Sequence, residues 1–393
     1  MSTSVGIDIA KELHWVSVIG SAGEILLDRK LANTPEDLLR LAEELKALPA
    51  PVRIGIDVLG GIASLVQAVL LEAGFELVHV SGLSVNRARQ GTVGGESKSD
   101  PRDARVIADQ VRTRRDLRRI EAPSELDIEL RLLVSRRRDL TTDQTRRLSR
   151  IHDLLSSIFP ELEQALDLTA KAPLLLLSAF VTPPELRQVS DSRLRKLFGS
   201  RAKHPYVIEL ISVARACAQR QPMQLPGEAL TANLVRELAR EALDALERLA
   251  AIDAEIEQRL ARHPDAALIR SLPGMGAVLT AEFIAQAGSI ERFKSSDGLA
   301  AAAGLAPVLR QSGKVRFLRR AAGGNKDLKR IFYQSAFASL RCPQSKAFYT
   351  RKRQEGKRHH QAVLALARRR VNVLWAMLQN RQPFSPHPSS KSG

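Results

Sequence analysis

Four acids carry the most suggestive chemistry in this chain. In Lys98–Ala108, K-S-D-P-R-D-A-R-V-I-A, Asp100 stands ahead of Pro101 and Asp103 follows three positions later. Asp before Pro is a helix start, and positions three apart share a helical face. Two carboxylates on one face can share a divalent metal. A plainer reading stays open, with Asp100 as an N-cap and Asp103 complementing the helix dipole. Upstream, Asp8 in V-G-I-D-I-A and Asp57 in V-R-I-G-I-D-V end apolar strands. If all four met, they would repel, and a bound Mg2+ pair is the physical way to keep them ionised together. Two such ions hold the attacking and leaving oxygens of a phosphoryl displacement. A turn role competes for Asp57, which lies beside Gly60-Gly61.

A second chemical group lies far downstream. In Gly304–Arg320, G-L-A-P-V-L-R-Q-S-G-K-V-R-F-L-R-R, Ser312 precedes Gly313 and is expected on an exposed turn. Arg310, Lys314, Arg316, Arg319 and Arg320 surround it in sequence. That setting suits a DNA phosphate held against a hydroxyl, with the charge growing on its oxygens stabilised. No histidine is near enough in sequence to be a clear base, and such a serine more often only hydrogen-bonds a phosphate. Upstream, L-P-G-M-G in Leu268–Ala285 joins two helices and is read as a helix–hairpin–helix. There Gly274 and Gly276 would let the backbone approach a phosphate. The competing reading is a tight turn that needs glycine for its backbone freedom.

Composition agrees with a polyanion partner. The 393 residues imply two or three domains. Lys and Arg number 60 against 43 acids, a net charge of +17, which favours DNA, RNA or an anionic membrane. The longest apolar run, around Pro173–Val181, is far short of a membrane span, and no cleavable signal opens the chain. Aromatics make up 4% of the residues, which argues against stacking platforms for single strands and leaves affinity to phosphate contacts. Cys217 and Cys342 form no framework and share no ligand spacing with the histidines, so neither zinc nor disulfides are expected. A reduced, cytoplasmic setting follows.

The elements that must position the acids can be read in order. Val5–Ala10, His14–Gly20 and Glu24–Lys30 are strands, the last two joined by a turn at Ser21-Ala22-Gly23. Thr34 caps a helix to about Leu48, and Val52–Val58 is a fourth strand. A helix over Ile62–Ala73, a strand over Phe75–Val80 and a Gly/Ser-rich loop then lead to the acidic helix. This order matches ribonuclease-H-like folds, in which the first strand, the fourth strand and a later helix bring their carboxylates to one sheet edge. Arg112–Arg119 is either a phosphate-facing patch or a solvated helix end. Long helices follow over Pro123–Phe159 and Leu230–His263, separated by short helices and a linker at Pro222–Gly227. Val235, Leu238, Ala242, Ala245, Leu249, Ile252 and Ile256 form a heptad seam in the second. Its partner could lie in the same domain, elsewhere in the chain or in another protomer. Asn325–Leu340 and His360–Leu378 are closing helices, and Gln379–Gly393 is expected to be a disordered tail.

V-G-I-D-I-A-K, K-S-D-P-R-D-A, L-P-G-M-G and F-K-S-S-D-G-L-A-A-A-A-G-L-A-P…R-Q-S-G-K, in this order, resemble the DEDD-type insertion-sequence transposases of the insertion-sequence one-ten family, relatives of the Piv-type DNA invertases. The resemblance spans nearly the whole chain. It implies an α+β protein with a RuvC-like, ribonuclease-H-like DEDD domain (1–122) and a helical coiled-coil region (123–265). After these come a transposase domain with helix–hairpin–helix and serine nucleophile (266–350), then a basic helix and tail (351–393). By that pattern Asp8, Asp100 and Asp103 take the three Asp places as Mg2+ ligands, and Ser312 takes the nucleophile place. Asp57 stands where the family has Glu, one methylene shorter. The resemblance further implies donor and target DNA as partners, a structured non-coding guide RNA, dimers pairing into tetramers, and a bacterial nucleoid-associated location. The expected function is an RNA-guided DNA recombinase. The alternatives are a RuvC-like nuclease on branched DNA, which needs the acids but not Ser312, and a non-catalytic nucleic-acid-binding protein.

Overall fold

The computed structural model describes residues 2–91, 96–122, 124–312, 315–319 and 321–386. Of the expected nucleic-acid contacts, Lys314 and Arg320 lie outside these residues, as does Gly313 of the expected turn. The chain divides into two compact units, Met1–Ser124 and Glu125–Gly393.

The first unit is a six-stranded sheet with helices on it. Strands β1 (Thr3–Asp8), β2 (Leu13–Ile19) and β3 (Ile25–Ala32) form an antiparallel meander. Helix α1 (Pro35–Lys46) follows, with the Thr34 hydroxyl accepting from the Asp37 N–H as expected of an N-cap. Strand β4 (Val52–Ile56) then pairs in parallel with β1, helix α2 (Ser64–Glu72) returns the chain, and β5 (Glu76–His79) pairs in parallel with β4. The sheet order is β3-β2-β1-β4-β5-β6, where β6 is Arg118–Arg119. The first and fourth strands are therefore neighbours, as the element order implied.

Why those strands can carry a helix so closely is written in two glycines. Gly6 of β1 lies opposite Gly55 of β4 in the register. Helix α4 (Asp100–Thr113) packs on this row. A Cβ on Gly6 would fall 2.1 Å from the Ala104 carbonyl oxygen and 2.4 Å from the Ala108 nitrogen. A Cβ on Gly55 would fall 2.4 Å from a Val111 methyl. The helix backbone thus rests on the sheet backbone. Side chains alternate along a strand, so Asp8 and Asp57, each two residues beyond its glycine, point to the face that α4 covers. The opposite face is apolar: Val5, Ile7, Ile54 and Ile56 are fully buried with Leu38, Leu41 and Leu45 of α1.

Two local expectations need correction, and a third segment, left open above, can be described. Asp100 is the first helical residue of α4 and Ser99 occupies the cap, so Asp100 is not the N-cap. The segment read as a Gly/Ser-rich loop contains helix α3 (Gly82–Gln90), with the Ser81 hydroxyl accepting from the Ser84 N–H. Only Val85 and Arg89 of α3 are buried, so there was no apolar stripe to read. In the Arg112–Arg119 run, Arg112 pairs with Asp109 and Arg114 with Asp116, while Arg118 and Arg119 form the edge strand.

The second unit is helical and built on two long rods. Helix α5 (Glu125–Ile158) is followed by short helices α6 (Pro160–Ala165), α7 (Lys171–Leu177), α8 (Pro183–Gln188) and α9 (Asp191–Phe198), then α10 (Pro205–Arg220) and α11 (Glu228–Leu260). Pairs Glu129–Arg259, Arg137–Asp253 and Arg147–Glu241 run in opposite senses along the two rods, so α5 and α11 are antiparallel. The seam on α11 therefore packs within the chain, with Val235, Ala242, Ala245 and Ile256 buried. At roughly 50 Å long, the pair spans two cores. One encloses α6–α10 around Phe159. The other joins the far end of the rods to α12 (Ala266–Ser271), α13 (Ala277–Ala287), α14 (Ser296–Ala302), α15 (Lys326–Ala338), α16 (Pro343–Gln354) and α17 (His359–Gln379). Residues assigned by sequence to three regions after 122 thus belong to one unit. Gln379 ends α17, and the Phe384 N–H donates to Ser271, so the described part of the expected tail is placed against the unit.

The turn Leu272–Gly276 is held by a buried cation. Arg370 of α17, 4% exposed, donates to the Pro273 carbonyl and to the Ser335 hydroxyl. Burial pulls its guanidinium down to about 10. Arg370→Met would strand that carbonyl and hydroxyl in the core. We expect it to lower stability by about 1–3 kcal/mol, read as a chemical-denaturation midpoint. An unchanged midpoint would contradict this role for Arg370. Gly6→Val would drive α4 off the sheet, and no cooperatively folded N-terminal unit should be recovered, judged by circular dichroism of the purified chain.

Candidate active site

The acids converge at one end of the β1–β4 pair. Asp8 ends β1, Asp57 follows β4, and Asp100 and Asp103 stand on the first turn of α4. Their mutual effect is visible in Asp8, whose carboxyl is pushed up to about 7. Burial is the largest cause, followed by the charges of Asp57, Asp103 and Asp100, with Lys98 opposing. Asp57 is also pushed up by burial, against the pull of the Ile9 N–H that its Oδ1 accepts at 3.3 Å. Its backbone carbonyl lies 3.2 Å from the His79 Nε2. Asp57 is therefore tied to the end of β1 through Ile9 and is not a bare turn residue.

Asp103 differs from the other three. It is 6% exposed, and the Arg89 Nη1 donates to both of its oxygens at 3.0 Å. Arg89 in turn is fixed by Asn86, whose Oδ1 accepts from Nη2 at 2.7 Å. Sequence reading missed Arg89, and its only signal was an arginine where an apolar residue would bury a helix. His14 was missed too: fully buried on β2, it accepts the Ala10 N–H through Nδ1 at 3.1 Å and so shapes the turn just after Asp8.

A divalent cation suits this donor set. Carboxylate oxygens are hard ligands, and a cation beside Asp8 would offset the repulsion it meets from Asp57, Asp103 and Asp100. Among the described residues, no group of three or more Asp, Glu, His or Cys side chains is placed to hold a metal ion as it stands. Asp103 is engaged by Arg89 and Asp57 by the Ile9 N–H.

Ser312 lies in the second unit, on strand β7 (Val308–Ser312), paired with β8 (Val315–Arg319) in an antiparallel hairpin. The described residues of both strands are exposed. Gly304 and Gly324 pinch the base of this excursion: a Cβ on Gly324 would fall 2.5 Å from the Gly304 nitrogen. Opposed residues share a face. Ser312 therefore stands with Arg310, Val315, Phe317 and Arg319, while Arg316 points to the other face with Gln311. The expected ring of bases around Ser312 is thus split between two faces among the described residues.

The glycines of the L-P-G-M-G turn also separate. Gly274 has φ +85°, and a Cβ there would fall 2.5 Å from the Ser335 carbonyl oxygen. The close approach it permits is to the protein's own backbone. Gly276, with nothing within 4 Å of such a Cβ, faces open space at the start of α13.

Comparison with known proteins identifies the class as a transposase. Residues 5–160 match the family model DEDD_Tnp_IS110, described as a transposase, and residues 266–350 match a second, described as Transposase IS116/IS110/IS902 family. The chain belongs to this IS110-type transposase family. It is 41% identical over 387 residues to an insertion element IS116 protein of Streptomyces clavuligerus, covering 98% of this chain and 96% of that one. It is 40% identical to an insertion element IS900 protein of Mycobacterium paratuberculosis, over 97% and 96% of the two chains. The pilin gene-inverting protein of Moraxella bovis is 30% identical over 123 residues, 30% of this chain and 38% of that one. A solved structure of T. thermophilus RuvC in complex with a Holliday junction substrate aligns with 28% of this chain and 90% of its own, at a TM-score of 0.22 and 16% identity. Among the described residues, no helix is long and apolar enough to cross a membrane.

The raised carboxyl of Asp8 has a thermodynamic consequence. Its ordinary value is 3.8, against about 7 in the folded chain. Between these values the folded state holds a proton that the unfolded state has lost, so stability falls as pH rises through that window and stays low above it. Without metal, the thermal midpoint of the N-terminal unit should fall from about pH 5 to about pH 8. Asp8→Asn should flatten the fall and raise the midpoint at the alkaline end. Equal pH slopes for the two proteins would exclude Asp8 as the source.

Proposed function

We propose that this chain is the RNA-guided DNA recombinase of its insertion sequence, with Ser312 as nucleophile and the four acids as its metal site. The observation that carries the reading is the meeting of Asp8, Asp57, Asp100 and Asp103 at one end of the sheet, where burial and the neighbouring acids push the Asp8 carboxyl up to about 7. The Ser312 hydroxyl attacks a DNA phosphodiester, loses its proton, and displaces one bridging oxygen as a free DNA hydroxyl. The phosphate stays on the serine, so the bond energy is kept for rejoining without ATP. Arg310 and Arg319, on the face of Ser312, hold the phosphate oxygens and offset their growing charge. Bound Mg2+ would supply Lewis-acid stabilisation of the same phosphate. Asp8, Asp57 and Asp100 would hold it, and Asp103 would join through the oxygens that Arg89 orients.

Partner choice follows from charge. A chain of net charge +17 with 4% aromatics reads phosphate backbones rather than base stacks, which suits donor and target DNA selected by pairing to a structured non-coding RNA. RuvC-like catalysis by a homo-oligomer, as a dimer or tetramer, completes the reading.

Purified protein, the RNA encoded beside the gene and two DNA partners form the deciding assay. Wild type should join the DNAs and leave a denaturation-resistant protein–DNA adduct. Ser312→Ala should abolish both adduct and joining, and Asp8→Ala should lower joining at least about a hundredfold. Cutting that survives Ser312→Ala would instead indicate a metal-dependent nuclease of branched DNA. Failure of the wild type to cut or join would leave a nucleic-acid-binding protein.

A further inference from the structure

A buried arginine inside an acidic site is an unusual arrangement. Arg89 and Asp103 are 8% and 6% exposed. One guanidinium nitrogen meets both carboxylate oxygens at 3.0 Å, and the other is held by Asn86 on the same helix. The helix that brings Arg89 has only one other buried residue, Val85, so burying this cation is half of what its inner face does. Asp103 itself lies on the buried stripe of α4 with Ala104, Ile107, Ala108 and Val111. A lone carboxylate there would be costly, beside three others and away from water.

From this geometry we infer that Arg89 is a resident counter-cation of the acidic site. It neutralises Asp103 when no metal is bound and limits how tightly the remaining carboxylates hold a divalent ion. The inference rests on the reading of the acids as metal ligands. Arg89 is a positioning residue: it acts through Asp103 and is assigned no contact with DNA. A fixed positive charge beside the ligand set repels an incoming dication and draws donor strength from both Asp103 oxygens. Without it, Asp103 would add its unpaired charge to the other three acids, leaving a less stable apo fold and a stronger appetite for metal. A purely structural clamp predicts the reverse, because a loosened Asp103 would weaken metal binding.

The test titrates Mn2+ alone into the full-length chain by calorimetry and reads thermal midpoints with and without the ion. Arg89→Gln should lower the metal-free midpoint, tighten Mn2+ binding at least about tenfold, and enlarge the Mn2+-induced rise in midpoint. Arg89→Lys keeps the charge and should stay within about threefold of wild type. Equal or weaker Mn2+ binding by Arg89→Gln, with wild type binding normally, overturns the counter-cation role and leaves the metal reading intact. If neither protein binds Mn2+, both readings fall. If only Arg89→Gln binds it, Arg89 occupies the cation's place outright. Should Arg89→Gln fail to fold without metal, recovery of cooperative unfolding in Mn2+ supports the role, and no recovery overturns it.

Discussion

Repulsion among four carboxylates at one end of a sheet is the constraint around which the N-terminal unit is arranged. Water cannot relieve it fully, because burial is the main reason that Asp8 holds its proton to about pH 7. The fold answers with fixed partners of modest strength: the Ile9 N–H on Asp57, Lys98 near Asp8 and the full charge of Arg89 on Asp103. Each lowers the cost of assembling the acids, and none removes it. A cation placed among these acids would offset the repulsion that remains.

The sheet supplies the precision. Gly6 and Gly55 stand side by side, and their missing side chains let the α4 backbone rest on the strands. Carboxylates two residues further along then face the first turn of the same helix. A side chain in either place would lift that turn and separate the acids. The apolar face opposite, packed by α1, keeps the strands from yielding instead.

Much of this was legible in the sequence because local rules and tertiary demands agreed. Strands β1, β4 and β5 are apolar runs ending in turns, α1 has its Thr34 cap, and the Asp-Pro start of α4 fixed the helix to within a residue. Helix α3 was hidden because its buried face is a valine and an arginine, and an arginine bound inside an acidic site has no hydrophobic period. The roles of Gly274 and Gly276 could not be separated either, since a glycine serving φ +85° against Ser335 reads the same as one opening a surface. Ser312 was expected on a turn and stands at the end of a strand, because hairpin pairing extends up to it. Basic residues crowded along the sequence are dealt alternately to two faces by the strand's period of two, which a list of neighbours cannot convey.

The neck formed by Gly304 and Gly324 gives that hairpin an uncommon mechanical character. Its two ends are clamped backbone to backbone, while the strands beyond bury almost nothing. Swinging such a paddle about its neck would tear no core and unpair no ladder. The Ser312 hydroxyl thus stands on an arm that is gripped at its neck and not packed along its length.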